Sequence, residues 1–343
     1  MVLVTGANGW LGLGLVKKLT EKSEKIRALV LEGQNVEQLL AIAPDCEIVY
    51  GNVTDKSSLE KFFDGAKGAV CYHCVGVIHP RKVSEFKLIN TGGTIAVWDS
   101  AESAKLKRIV IMSSNSPIGC NPHPDHLFDE NSPFNPYMGY GRSKMLMEET
   151  IAKKSALSKL ESVIIRAPWF YGPFQPPRQT EFFTMVRDGK APILGKGHNR
   201  RSMSYIDNLA LGMTLAGSVK KAAGKTYWIA DKRPYEMNEI IDTIEEVLEK
   251  EFAIKCAHKR LRLPSFIADF ARVADRALQS VGLYQQKIHV LSEMNQTIAC
   301  SIEKAQKELG YEPQIDLREG MRRSIEWLMN EPKEREKLVK NKR

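Results

Sequence analysis

Apolar positions along the chain follow two rhythms. Short runs, MVLVTG, KIRALVL, CEIVYG, GAVCYHCV, KRIVIMSS and ESVIIRAP, alternate with longer stretches whose apolar residues return every three or four positions. LGLGLVKKLTEK is one such stretch. TGGTIAVWDSAESAK is another, with Ile95, Val97, Trp98 and Ala101 near helical spacing. The alternation predicts βαβ units: an α/β fold with six parallel strands, helices on both faces, and so a doubly wound parallel sheet.

After Pro168 the texture changes. WFYGPFQPPRQ is turn-rich, and a helix, a loop (LGKGHNRRS) and a strand–helix return near Met203–Ala216 follow. KTYWIAD reads as a further strand, Met237–Glu249 as a helix, and Leu263–Leu283 as an amphipathic helical region opened by a proline. The last helix is placed near Leu317–Met329, after the turn YEPQID. The predicted organisation is a first domain over residues 1–170 with a returning segment at about 200–231. A smaller interleaved α/β lobe takes 171–199 and 232–330, and a basic tail takes 331–343.

Composition narrows the class. A hydrophobic fraction of 43% and a charged fraction of 27% are ordinary for a globular protein. No apolar run reaches the roughly 18–20 residues a membrane span needs, and the first residues lack the basic start of a secretory signal. A cytoplasmic location is expected. Six scattered cysteines make no disulfide framework. Cys71 and Cys74 spell C-x-x-C, but inside an apolar run that reads as a core strand. Of the net charge of +9, Pro332–Arg343 carries +4; the remainder suits phosphate-bearing small molecules. No basic stripe interleaved with aromatics marks a nucleic-acid partner.

The chemistry starts at Thr5-Gly6-Ala7-Asn8-Gly9-Trp10-Leu11-Gly12, between the first strand and the first helix. Glycines there allow a tight turn and close approach of a pyrophosphate to the free amides of a helix N-terminus. An acidic residue ending the second strand would favour NAD, and an arginine NADP. Glu32 stands one step late but favours NAD slightly, with NADP left open. Tyr140 and Lys144, at i and i+4, share a helix face. A nearby ammonium, with a positive nicotinamide ring, is expected to draw the phenol pKa of about 10 towards working pH. Ser113 and Ser114 follow the fifth strand, where ligands bind in such sheets, and Ser114 is chosen to polarise the substrate oxygen.

Together these features resemble the extended short-chain dehydrogenase/reductase family, which contains the NAD-dependent nucleotide-sugar epimerases and dehydratases. The likeness runs over roughly residues 1–330 and includes TGANGWLG, Asn52-Val53, His73 with Val75-Gly76, Asn90-Thr91-Gly92-Gly93-Thr94, SSNSPIG, YGRSK, IIRAPWFYGP and SYIDNLA. It implies a Rossmann domain, with Gly6, Asn8, Gly9, Trp10, Leu11, Gly12, Glu32, Asn52, Val53, Cys74, Val75, Gly76, Asn90, Lys144 and Pro168 holding the cofactor. It further implies Tyr140 as catalytic acid/base, Lys144 on the nicotinamide ribose, Ser114 on the substrate oxygen, and a homodimer through the helix carrying Tyr140 and the one near Gly92–Ala104.

Within the family, a nucleotide sugar is the expected substrate, with hydride transfer at a sugar carbinol. Arg200 or Arg201 would grip the diphosphate, while Ser116, Phe170 and Tyr171 line the mouth. Ser116 and Pro117 stand where dehydratases commonly carry an acid pair, which argues against dehydration. A 3β-hydroxysteroid-dehydrogenase-like activity on an apolar alcohol or ketone is the alternative. It would use LPSFIADFARVADRALQSVGL, a segment otherwise read as core or dimer packing. A non-catalytic NAD(P)-binding regulator is the reading from another class.

Overall fold

Along Val2–Thr5 successive side chains enter opposite cores, because side chains alternate across a strand. Val2 and Val4 join one apolar cluster and Leu3 another. Such a strand is covered on both faces and can be apolar at every position, which is why these runs do not alternate with polar residues. The computed structural model describes residues 1–339.

The strands are β1 (Val2–Thr5), β2 (Ile26–Val30), β3 (Glu47–Tyr50), β4 (Val70–His73), β5 (Arg108–Met112), β6 (Glu161–Arg166), β7 (Trp169–Tyr171), β8 (Pro192–Leu194), β9 (Arg200–Arg201), β10 (Met203–Tyr205), β11 (Lys225–Trp228), β12 (Tyr235–Glu236) and β13 (Leu261–Leu263). The helices are α1 (Trp10–Thr20), α2 (Glu37–Ile42), α3 (Lys56–Phe63), α4 (Thr94–Ser103), α5 (Met138–Ser155), α6 (Pro177–Arg187), α7 (Ile206–Ser218), α8 (Met237–Phe252), α9 (Phe266–Ser280), α10 (Gln286–Glu293), α11 (Glu303–Leu309), α12 (Leu317–Asn330) and α13 (Pro332–Val339).

The doubly wound parallel sheet is present, with seven strands in the order β11-β6-β5-β4-β1-β2-β3. The expected six are joined by KTYWIAD, whose Lys225–Trp228 pairs in parallel with Val163–Arg166. Tyr227 and Trp228 are fully buried, so the run finds its partner at the sheet edge rather than in the lobe. One face packs on α1 and α7 and the other on α3, α4 and α5. The chain order reverses between β1 and β4, which opens a crevice at their C-terminal ends. The stretch before α4 begins earlier than its apolar spacing suggests, as a π-helical segment over Phe86–Gly93. Wide turns of this kind often mark functional sites.

A second core, including Phe183, Ile244, Leu248 and Ile325, holds the lobe together. The tail and the Leu263–Leu283 segment both take definite form there. The start of the basic tail is a helix, α13, whose Leu338 is fully buried and whose Lys337 carbonyl accepts from Arg187 at 3.1 Å; residues 340–343 lie outside the described residues. The apolar side chains of α9 are not core: Phe266, Phe270 and Val273 are exposed, while Ala268, Ala271 and Asp275 face inward. Small residues on the inner face allow close contact with α10 and the start of α5, and the bulky positions fall on the opposite side. Among the described residues, no helix is long and apolar enough to cross a membrane.

Candidate active site

Gly6 has φ +71°, a left-handed conformation that glycine adopts without strain, and an added Cβ would sit 3.2 Å from the Val75 amide. At Gly12 a Cβ would lie 2.0 Å from the Gly6 carbonyl, so the turn closes only without a side chain. Above Gly9 an added Cβ meets nothing but the Gly6 carbonyl, at 3.2 Å. The loop is therefore an open cradle over the first turn of α1, whose leading amides have no partner within the helix. An anionic pyrophosphate fits such a cradle. Leu11 itself points into the core, leaving its amide as the group available to a ligand. The Trp10 indole turns away, donating to the Pro173 carbonyl at 2.8 Å and meeting Phe170 edge-on at 6.1 Å. It ties the cradle to the loop after β7.

Cys74, Val75 and Gly76 leave β4 on the other side of the crevice. The Cys74 amide donates to the Thr5 carbonyl at 3.1 Å, and burial pushes the Cys74 thiol up to about 12. His73 is pinned between the hydroxyls of Thr5 and Thr94, and burial lowers its pKa to about 3, so it stays neutral. Asn90 bridges the same loop to α5: it accepts from the Val77 amide at 2.7 Å and donates to the Ser143 hydroxyl at 3.1 Å. A Cβ on Gly76 would stand 3.3 Å from the Lys144 ammonium. Gly6, Val75, Gly76 and Lys144 thus form one continuous wall.

Lys144 is buried and donates to the Met112 carbonyl at 2.9 Å, where β5 ends. Ser113 and Ser114 follow immediately. Ser114 stands 3.3 Å from the Ser116 hydroxyl, and Tyr140 comes within its reach. Burial raises the Tyr140 phenol to about 12, and the Ser114 hydroxyl pulls it partly back. The expected lowering by Lys144 is not seen. Sharing a helix face brings the two residues together, but the ammonium is directed to Met112, and its own pKa falls to about 8 through burial. Glu148, one turn further on, favours the charged lysine. It also accepts from Ser113 at 2.5 Å and pairs with Arg166 at 2.7 Å. Glu148 continues the four-residue spacing of Tyr140 and Lys144, a signal that sequence reasoning passed over; its buried partner Arg166 gave none.

The start of α5 is completed from outside the sheet. Gln279 of α9 accepts from the Gly139 amide at 3.0 Å and is itself held by Asp275 at 2.9 Å. Asp275 also pairs with His289 at 2.7 Å. Burial disfavours the charged ring, but the Asp275 hydrogen bond and the Glu293 and Asp275 charges together outweigh it and raise the His289 pKa. Tyr137 reaches Ser292 at 2.7 Å. Sequence reasoning missed this cap in trans, because the residues lie far apart along the chain.

Glu32 is exposed beyond the end of β2, and Asn8 reaches Gln34 instead, at 2.9 Å. Asn52 caps its own turn through the Thr54 amide, and Val53 is buried against Gly93. Pro168 is buried just after β6, and Phe170 is half-buried. Arg201 is buried near Tyr137 and Cys120; it donates to the Glu293 carbonyl, and its Nε has no partner. Arg200 faces outward to the Pro124 carbonyl.

Lys144 carries a stability consequence with a definite sign. The folded pKa is about 8 against an ordinary 10.5, so the unfolded chain binds the extra proton between these values. The contribution of Lys144 to stability is therefore greatest above pH 10.5 and falls as pH drops to 8, by about 3 kcal/mol in all. In cofactor-free protein, Lys144→Met is expected to raise stability at pH 7 by about 1–2 kcal/mol, after about 1 kcal/mol is lost with the Met112 hydrogen bond. Urea unfolding at pH 7 and pH 10 checks this; a variant no more stable at pH 7 would refute it.

Comparisons with known proteins agree with this geometry. The uncharacterized protein y4nL of Sinorhizobium fredii is 50% identical over 338 residues, covering 95% of this chain and 94% of its own length. The 3beta-hydroxysteroid-dehydrogenase/decarboxylase isoform 1 of Arabidopsis thaliana is 26% identical over 94% of this chain and 78% of its own. Among solved structures, UDP-glucose 4-epimerase of Thermotoga maritima with UDP-glucose superposes with a TM-score of 0.77 at 19% identity, over 96% of this chain and 99% of that one. The family model described as NAD dependent epimerase/dehydratase matches residues 2–230, from the cradle through α5 to the seventh strand of the sheet. The chain belongs to the NAD-dependent epimerase/dehydratase family.

Proposed function

We propose that this protein is an NAD-dependent epimerase or oxidoreductase that works at a secondary carbinol of a nucleotide sugar, with Tyr140 as its acid/base. The observation that carries the reading is the meeting of Ser114, Tyr140 and Lys144 at the crevice beside the glycine cradle. The cradle would hold the pyrophosphate and Lys144 the ribose. When bound, NAD supplies the acceptor and donor of a hydride. Ser114 holds the substrate oxygen, and Tyr140 takes its proton during oxidation or returns one during reduction. With a phenol pKa near 12, Tyr140 is the proton donor at neutral pH until a positive ring stands beside it.

The nucleotide-sugar assignment is supported by Arg201, a buried guanidinium with an unpartnered Nε on the side of the serine loop. Diphosphate oxygens would complete its hydrogen bonds. The apolar-alcohol reading draws on an aromatic wall: Phe86 lies 5.9 Å from Tyr140 and 5.7 Å from Tyr284. The proposal includes a homodimer through α4 and α5, whose outer faces carry half-buried Ile95, Met145 and Leu146.

The test has two stages. Protein is denatured and the released nucleotide identified, then sugar nucleotides and apolar alcohols are offered with NAD and NADP. Stoichiometric NAD release with interconversion of sugar epimers is the expected result. Oxidation of apolar alcohols alone would transfer the assignment to the dehydrogenase reading, and no turnover of either class would overturn it.

A further inference from the structure

We propose that α9 is an interfacial helix that docks the protein on an anionic lipid surface. Phe266, Phe270 and Val273 fall at i, i+4 and i+7, on one face, and are 56%, 72% and 69% exposed. Ala277 and Val281 continue the stripe, and Leu283 extends it past the helix end. The inward face carries Ala268, Ala271 and the buried Asp275. The arrangement inverts that of an ordinary surface helix, whose apolar side faces the core. Packing within the chain does not account for two phenylalanines in water. A phase boundary does, since such a helix lies in the interface plane with its apolar side immersed.

The charges around the stripe select the partner. Between residues 259 and 290 the sequence carries six basic and two acidic side chains. Asp275 is buried on His289, Asp269 is taken by Arg272, and Arg260 is taken by Asp242 and Glu245. Arg276 and Lys287 are exposed without an ion pair among the described residues. A hydrogen bond from the Val83 amide to the Gly282 carbonyl, at 3.3 Å, brings the exposed Arg81 and Lys82 beside the tip of the helix. A second copy of the chain is a poor occupant, because a two-fold contact sets the patch against itself and would press cations against cations. Anionic headgroups meet those cations while acyl chains receive the phenylalanines. The proposal is independent of which substrate the site takes.

The full-length protein is mixed with vesicles of phosphatidylcholine, alone or with phosphatidylserine admixed, and the bound fraction is read by sedimentation. Binding to the phosphatidylserine vesicles is expected, weakening as salt is raised. Phe270→Ser with Val273→Ser should reduce the affinity about tenfold or more, since immersion of both side chains is lost. Arg276→Gln with Lys287→Gln should remove much of the preference for the anionic lipid. All four positions are on the surface, so thermal unfolding and NAD binding of the variants should be unchanged. Absence of binding to the anionic vesicles would overturn the proposal. So would undiminished binding of the Phe270/Val273 variant, or a self-association that this variant abolishes, which would assign the stripe to a second copy.

Discussion

Tyr140→Phe is expected to lower turnover by about 10²–10⁴-fold, the usual worth of a positioned acid or base. The change removes one oxygen from a buried ring, and that oxygen is the one near Ser114. Ring packing on Phe86 at 5.9 Å persists, and neither the cradle nor Lys144 is touched. NAD affinity, read by fluorescence titration, should therefore change little. The split is diagnostic: a group acting on the proton in the transition state lowers turnover without weakening cofactor binding. A variant retaining wild-type turnover would sink the assignment of Tyr140. The mechanism also predicts that the oxidative rate of the native enzyme climbs with pH, since Tyr140 starts as the neutral phenol.

The second large effect is structural. Arg166→Met is expected to cost about 3–5 kcal/mol, because it strands the Glu148 carboxylate in the interior. The two side chains are only 5% and 3% exposed, and Arg166 approaches both Glu148 oxygens. Its guanidinium also lies over the rings of Phe134 and Trp228. Removing both charges, as Arg166→Met with Glu148→Leu, should recover a large part of the loss, since a buried pair is often replaceable by apolar residues. Denaturant unfolding of the single and double variants measures the difference. A double variant no better than the single would show that packing, rather than the stranded charge, sets the cost. Activity should not recover in parallel. Ser113 loses its acceptor when Glu148 goes, and Ser113 anchors the strand end that presents Ser114.

Much of the candidate site was legible because it is built from short, local patterns. The cradle needs glycines within one turn, and Gly6 and Gly12 stand where close contacts exclude a Cβ. The Tyr140–Lys144 spacing follows from helix geometry, and Ser114 from the end of a buried strand. Glu32 and Asn52 were chosen by the same logic and lie at exposed turns, where spacing along the chain does not fix direction. The seventh strand was visible as a strand, while its place beside β6 was not.

The sequence by itself determined the alternating βαβ pattern, the cradle and the helix face bearing Tyr140, since each rests on backbone periodicity or on sterics among neighbours in the chain. Only the tertiary structure decided what those groups experience. Burial raised Tyr140 and lowered Lys144, Arg166 settled on Glu148, and Gln279 came from well over a hundred positions away to cap α5. It also decided that the apolar stripe of α9 faces outward. Periodicity identifies an amphipathic helix, but the direction of its apolar side depends on which neighbours pack against it, and those contacts are long-range.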